Sequence, residues 1–254
     1  MDFNRHCIEI VHQTELLTHD VSGADLRAPV PSCPDWTLGM LLRHIGFGHR
    51  WAEETVRTRS VEMLPDDKLR KLDGDDSTPP PLDWLMRGAR RYADTLLEAG
   101  PGSPAWGPFD DKTAAFLARR FANETLMHRA DATLAAGTPF VASAEAAVEG
   151  IDEWMDLDVV PLHFAINPAR RELLGPGRTI AFDATDTDAS WFLDLTGDLI
   201  TWRRGPGDAA VRLRGPVTDL LLRIYQRRSI EESAIEVTGD TALLELWTRH
   251  VTFG

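Results

Sequence analysis

Residues 121–137 read FANETLMHRADATLAAG, and this stretch has the apolar spacing of a helix that packs against other helices. At about 100° per residue, one narrow stripe of the helix includes charged side chains among apolar ones. The stripe consists of Leu117, Phe121, Glu124, His128, Asp131 and Ala135. Burying a carboxylate and an imidazole in its middle is costly unless each has a partner. A metal ion would be a partner for both Glu124 and His128, and a direct hydrogen bond between them is the alternative.

The first half of the chain has the pattern of long helices separated by turn-forming residues. Proline and glycine mark the ends, as in the proline run at 79–81 and the Gly-Pro pair at 100–101. Helices of this length pack naturally as an antiparallel bundle. We therefore expect a four-helix bundle, with helices at 3–20, 37–59, 82–99 and 111–136.

The second half changes in character after a fifth predicted helix at 144–158. Short runs rich in β-branched and aromatic residues indicate strands at 179–183, 190–195, 199–202 and 210–214. Two further helices are expected at 216–227 and 240–249, the first with proline in its opening turn. The sequence therefore predicts an α+β protein, with a helical bundle at 1–165 and a smaller α+β domain at 172–254.

The charge and composition of the chain exclude some classes of binding partner. The formal net charge of −13 at pH 7 should repel nucleic acid and anionic lipid, so we expect neither as a partner. The apolar runs are shorter than the roughly 20 residues that span a bilayer, so we expect no membrane segment. The N-terminus lacks the apolar core of a signal peptide, and two cysteines suit a reducing compartment. We expect a cytoplasmic protein, as a monomer or weak dimer.

A catalytic zinc site usually has three protein ligands and an open position. The second predicted helix offers two histidines, His44 and His49, which point about 140° apart, so at most one can face a given site. His44 lies among Leu41, Ile45 and Gly48, but His49 also has apolar neighbours. Periodicity leaves the choice between the two histidines open.

Three segments carry a resemblance that covers nearly the whole chain. They are VPSCPDWTLGMLLRHIG at 30–46, ANETLMHRADATLAAG at 122–137 and LRGPVTDLLLRIYQRR at 213–228. Together they resemble the mycothiol-dependent maleylpyruvate isomerase family. The resemblance implies a DinB-like metal-binding four-helix bundle followed by a smaller C-terminal domain. It also implies three metal ligands, and these map onto His44, Glu124 and His128.

The resemblance further implies a chemistry. In the isomerases to which this chain is similar, mycothiol adds to a cis double bond, the skeleton rotates, and elimination gives the trans isomer. The cofactors implied are a divalent metal ion, for which we expect zinc, and mycothiol, and the partner is a small-molecule substrate. The same site could serve S-transfer. A non-catalytic metal-binding or ligand-binding protein and a metallohydrolase are the alternatives.

Other charged residues have expected supporting roles. Asp131 shares the ligand stripe and could orient an imidazole N–H, or it could form a polar contact at the end of the bundle. Arg223, Arg227 and Arg228 of the second domain are candidates to bind a substrate carboxylate or the thiol cofactor, and a solvated or salt-bridged helix face is the alternative. Arg129 points away from the stripe, and we expect it at the surface or between the domains.

Overall fold

The computed structural model describes residues 1–65, 80–109 and 111–251. It divides into two compact units, Met1–Phe140 and Val141–Gly254. None of the helices within the described ranges has the length and hydropathy that crossing a bilayer requires. The combination of a helical first unit and a sheet-containing second unit confirms the predicted α+β class.

The first unit contains the four predicted helices. Within the described residues they are α1 Phe3–Asp20, α2 Leu38–Thr58, α3 Leu82–Ala99 and α4 Ala114–Ala136. A two-stranded antiparallel hairpin, β1 Pro29–Val30 and β2 Cys33–Thr37, leads into α2 and was absent from the sequence prediction. Thr37 and Thr113 cap α2 and α4, each accepting a backbone N–H with its side chain.

The apolar interior of this unit forms two clusters. α1 packs on α3 and α4, and α2 packs on the same two helices. One cluster includes Ile10, Ala52, Tyr92 and Leu117, and the other includes Leu17 together with residues of α2 and α3. Each of these helices buries apolar side chains near both of its ends. Apolar packing therefore stabilises the bundle at two positions along its length.

The second unit is built on a five-stranded sheet with strand order β5-β4-β3-β6-β7. β3 and β6 pair in parallel, and the other neighbours are antiparallel. The helices α5, α7 and α8 match the predicted segments, whereas the short helix α6, a 3₁₀ turn at Pro168–Leu173 and strand β7 were not predicted. The elements are α5 Ala144–Asp158, α6 Leu162–Ile166, β3 Thr179–Ala184, β4 Ser190–Asp194, β5 Thr201–Arg204, β6 Val211–Gly215, α7 Val217–Ile224, β7 Glu236–Gly239 and α8 Thr241–His250.

Helix α5 belongs to the second unit. The sequence prediction includes this helix in the bundle and puts the boundary at 165–172, whereas the structure divides before the helix. α5 packs on α7, and its carboxylates accept hydrogen bonds from two strand tryptophans. Trp191 Nε1 donates to Asp152 Oδ1 at 2.9 Å, and Trp202 Nε1 donates to Asp156 Oδ1 at 3.1 Å. These contacts between distant segments explain why the change from helical to strand-like sequence after residue 165 does not mark the boundary between the two units.

Close packing of α2 on α3 generates the first prediction. A Cβ added at Gly46 would lie 2.0 Å from Trp84 Cζ3 and 2.9 Å from Leu85 Cδ2. The Trp84 ring cannot yield easily, because the Arg50 guanidinium lies 3.6 Å from its centroid on one face. We expect Gly46→Ala to lower the free energy of unfolding by roughly 1 to 3 kcal/mol, measured by urea denaturation, even though alanine favours helices.

Gly102→Ala is the matched control, since a Cβ at Gly102 would meet no atom within 4 Å. We expect this variant to be as stable as the parent. Equal stability of the two alanine variants would contradict the close approach of α2 to α3.

Candidate metal centre

Three side chains from two helices converge in the first unit. Glu124 and His128 lie one turn apart on α4, and His44 faces them from α2. The distance from Glu124 Oε1 to His128 Nε2 is 3.0 Å, and that from Glu124 Oε1 to His44 Nε2 is 3.8 Å. One ligand atom from each residue lies within 4.8 Å of the other two. The structure therefore brings together all three residues that the sequence singled out as metal ligands.

These atoms fit a divalent ion. On a tetrahedral ion with bonds of about 2.1 Å, neighbouring ligand atoms are about 3.4 Å apart. The two measured separations, 3.0 and 3.8 Å, fall on either side of that value. The donor set of two imidazoles and one carboxylate is that of an open zinc site. The side chains are 43% exposed for His44, 35% for Glu124 and 14% for His128, which leaves an accessible side for a fourth ligand.

His128 is held from its other nitrogen. Its Nδ1–H donates to Asp131 Oδ2 at 3.0 Å, so Nε2 faces Glu124. Asp131 is fully buried, and its other oxygen accepts a hydrogen bond of 2.5 Å from Ser32 Oγ in the β1–β2 hairpin. Such a carboxylate behind a ligand histidine fixes the ring orientation. Of the two roles expected for Asp131, the structure shows the orientation of an imidazole N–H.

The carboxylate of Glu124 is shared between two sets of donors. Arg120 Nη2 donates to Oε2 at 2.6 Å, while both histidines face Oε1. Burial acts to raise the pKa of Glu124, but the charge of Arg120, the hydrogen bond to His128 and the nearby His44 imidazole outweigh it and hold the pKa well below its usual range. Oε1 is therefore an ionised oxygen that is available to a cation.

The same contacts favour a charged His128. Burial acts to lower the pKa of His128, but its hydrogen bonds to Asp131 and Glu124 outweigh burial and raise the pKa to about 9. Without a metal, a proton on Nε2 therefore occupies the position that a cation would take.

His49 has a different environment. It is 1% exposed, and its Nε2 is 2.9 Å from Thr125 Oγ1. Burial and the nearby charge of Arg50 lower the pKa of His49 to about 3, so its imidazole is neutral at pH 7. Among the described residues, the cluster that could hold a metal contains His44 and excludes His49. The geometry thus resolves the choice that periodicity left open.

Two family models together match most of the sequence and identify its family. Residues 8–133 match the family model for the mycothiol maleylpyruvate isomerase N-terminal domain, and residues 145–246 match that for the MDMPI C-terminal domain. The chain belongs to the mycothiol-dependent maleylpyruvate isomerase family. No curated protein is similar enough in sequence to be matched.

Solved structures of mycothiol-dependent maleylpyruvate isomerase share the fold. One crystal structure aligns with a TM-score of 0.59 over 93% of this chain and 93% of that chain, at 10% identity. A histidine-to-alanine variant aligns with a TM-score of 0.54 over the same shares, also at 10% identity. At this identity the alignments establish the fold that this isomerase-family chain has in common with them.

The arginines singled out by the sequence lie elsewhere. Arg129 is buried rather than at the surface, and α1 supplies two of its partners: it donates to Asp20 Oδ2 at 2.7 Å and to Gln13 Oε1 at 3.1 Å. Arg223 Nη2 donates to Thr248 Oγ1 at 2.7 Å, and Arg227 Nη1 donates to the Tyr225 carbonyl at 2.8 Å, both within the second unit. The role of Arg223 and Arg227 in binding a carboxylate or thiol stays a prediction.

Three residues of the site were missed by sequence reasoning. Arg120 lies one turn before Glu124, so the spacing of four residues could have revealed it. Ser32 reaches Asp131 across 99 positions, and no local pattern signals such a contact. Trp36, in the same hairpin, packs edge-on against His44 with ring centroids 4.9 Å apart.

The raised pKa of His128 predicts a pH dependence of the metal-free protein. Because the folded state holds the imidazolium more tightly, this residue contributes stability that is fully present below its unfolded pKa of 6.5 and is lost as the pH rises through about 9. We expect the stability difference between the parent and His128→Ala to shrink by up to about 3 kcal/mol across that interval. Urea denaturation of chelator-treated protein measures this difference.

His12→Ala removes an exposed histidine of α1 and serves as the control. The pH dependence of this variant is the reference for loss of an imidazole outside the site. A His128→Ala difference that is no steeper than this reference would show that the two carboxylates do not hold the proton.

Proposed function

We propose that this chain is a metal-dependent enzyme that uses mycothiol to isomerise a small-molecule substrate or to transfer sulfur to it. The observation that carries the proposal is the convergence of His44, Glu124 and His128, with ligand atoms within 4.8 Å of one another and one accessible side. Membership of a mycothiol-dependent isomerase family supports the thiol and the type of reaction.

Each ligand has a defined part in this proposal. His44 and His128 would coordinate through Nε2, and Glu124 through Oε1, because Arg120 occupies the other oxygen. Asp131 would keep the proton on Nδ1 of His128. A divalent ion held there, for which we propose zinc, would supply the positive charge that deprotonates a thiol at the remaining position.

The need for such a charge follows from thiol chemistry. A free thiol has a pKa near 8.5, so only a few per cent is thiolate at pH 7, and the thiolate is the nucleophile. Within the site, Glu124 and Asp131 are both hydrogen-bonded already, so neither is poised as a general base for the thiol. Thiolate formation is therefore best explained by charge stabilisation at the open side of the triad.

For the second unit we propose a role in binding an anionic group of the thiol or the substrate. The side chain of Arg223 is partly buried, and this burial lowers its pKa. Arg223 lies in the last turn of α7, and Arg227 follows the end of that helix. A guanidinium offers paired donors that suit a carboxylate.

Metal content is the first test of this function. We expect protein purified without a histidine tag to bind about one divalent ion per chain, because the ion would compensate the buried carboxylate. His44→Ala, Glu124→Gln and His128→Ala should each reduce the content to near zero, measured by elemental analysis after equilibration with zinc. Their circular dichroism should retain the helical signal of the parent.

His12→Ala is the matched control for loss of a histidine, and it should retain the metal content of the parent. Parent protein that stays metal-free after exposure to zinc, nickel and iron would contradict the metal-dependent function and support a binding protein on the same scaffold.

Thiol binding is the second test. We expect cobalt-substituted protein to develop a sulfur-to-metal charge-transfer band with mycothiol and to release a proton as the thiol binds. The alcohol analogue of mycothiol should give no such band, because it carries no sulfur at that position. Absorption titration at saturating thiol measures the effect.

Two results together would show that the thiol does not meet the metal. The cobalt protein would lack the band at saturating mycothiol, and the histidine variants would bind mycothiol as tightly as the parent. In that case hydrolysis of added esters and amides by the zinc protein would favour the metallohydrolase alternative, and its absence would favour a binding protein.

A further inference from the structure

The β1–β2 hairpin contacts the surroundings of both histidine ligands. It forms most of the VPSCPDWT segment at residues 30–37, which is part of one of the segments that carry the family resemblance. One contact runs through Ser32 to His128, and the other runs through Trp36 to His44. No other pair of strands exists in the described part of the first unit, so the contacts give this isolated hairpin a specific place beside the triad.

The Ser32 contact acts through Asp131. Ser32 Oγ donates to Asp131 Oδ1 at 2.5 Å, and Asp131 Oδ2 accepts the Nδ1–H of His128 at 3.0 Å. Each oxygen of the buried carboxylate therefore has its own donor. Because Ser32 fixes one oxygen, the other is directed at the imidazole and the carboxylate cannot rotate freely.

The Trp36 contact is direct. The Trp36 and His44 rings meet edge to face, with centroids 4.9 Å apart and planes at 64°. His44 in turn meets His128 at 88°, with centroids 5.0 Å apart. His44 is the most exposed of the three side chains, and the contact with the Trp36 ring restrains the rotation of its imidazole.

The hairpin itself is anchored to the bundle. Val30 is fully buried, and Cys33 and Trp36 pack against the same apolar cluster. The amides of Leu38 and Gly39 donate to the carbonyls of Ala28 and Leu26, at 2.9 and 2.8 Å. Strand β2 then runs directly into α2, with Thr37 as its cap. These restraints make the hairpin rigid enough to transmit orientation to the rings.

We propose that the β1–β2 hairpin positions both histidine ligands for metal binding, with Ser32 and Trp36 as positioning residues. The helices fix the Cα atoms of His44 and His128 but leave each ring free to turn about its side-chain bonds. The hairpin removes this freedom from outside the helices. This inference rests on the proposed function, since it assigns the hairpin a role in that same site.

Ser32→Ala tests the first contact in cobalt-substituted protein, with Ser32→Thr as the variant that keeps the hydroxyl. Loss of one hydrogen bond should weaken cobalt affinity roughly 2- to 12-fold, measured by competition with a chelator. The hyperfine-shifted Nδ1–H signal of His128 should also exchange faster with solvent. Ser32→Thr should restore both properties, and Ser22→Ala, at an exposed turn position, should match the parent.

Trp36→Leu tests the second contact, because leucine keeps an apolar side chain and removes the ring edge. It should weaken cobalt affinity by a similar factor, whereas the exchange of the His128 N–H should stay as in the parent. A loss of folding would change both signals together, and circular dichroism would reveal it.

Ser32→Ala protein with parental cobalt affinity and parental N–H exchange would overturn the proposal. Parent protein that takes up no cobalt would instead contradict the metal centre. The contact of Ser32 with Asp131 would then be tested by NMR in metal-free protein. The downfield Nδ1–H resonance of His128 should be present in the parent and in Ser32→Thr, and it should be lost in Ser32→Ala. Its survival in Ser32→Ala would also overturn the proposal.

Discussion

The first unit depends on compensation of the Glu124 carboxylate, which lies on a helix packed inside a bundle. A partly buried anion still needs partners, and here Arg120 supplies one and two imidazoles supply the others. The arrangement leaves Oε1 toward the histidines, where the imidazolium of His128 balances the charge. In the proposed function, a divalent ion would take the place of that proton.

Polar side chains also lie between the two apolar clusters of the bundle. The two clusters lie toward opposite ends of α4, one reaching Ala122 and the other beginning near Ala132. Between them α4 carries Thr125, which meets His49, and Arg129, which pairs with α1. Leu126, Met127 and Ala130 are buried in the same stretch. The middle of α4 therefore combines apolar packing with hydrogen-bonded and charged groups.

The sequence predicts the helices well because their apolar spacing and their caps are local, and α1, α3 and α5 occupy the predicted segments. Strand β7 was missed since its four residues, Glu236–Gly239, are mostly exposed and depend on pairing with β6. The unit to which α5 belongs depends on Trp191 and Trp202, which lie far along the chain. Ser32 was missed for the same reason. Features that depend on neighbouring residues, such as helices and their caps, could be predicted. Features that depend on contacts between distant segments could not.

The choice between His44 and His49 shows where periodicity misleads. Burial is the usual mark of an inward residue, and it selects His49, which is 1% exposed and neutral. A ligand in an open site has the opposite requirement, because the ion must remain accessible to a further ligand. His44, with 43% of its side chain exposed, meets that requirement while its ring still reaches Glu124. The family resemblance also points to His44, because it rests in part on the segment that leads into α2, and that segment carries the hairpin against which His44 is packed.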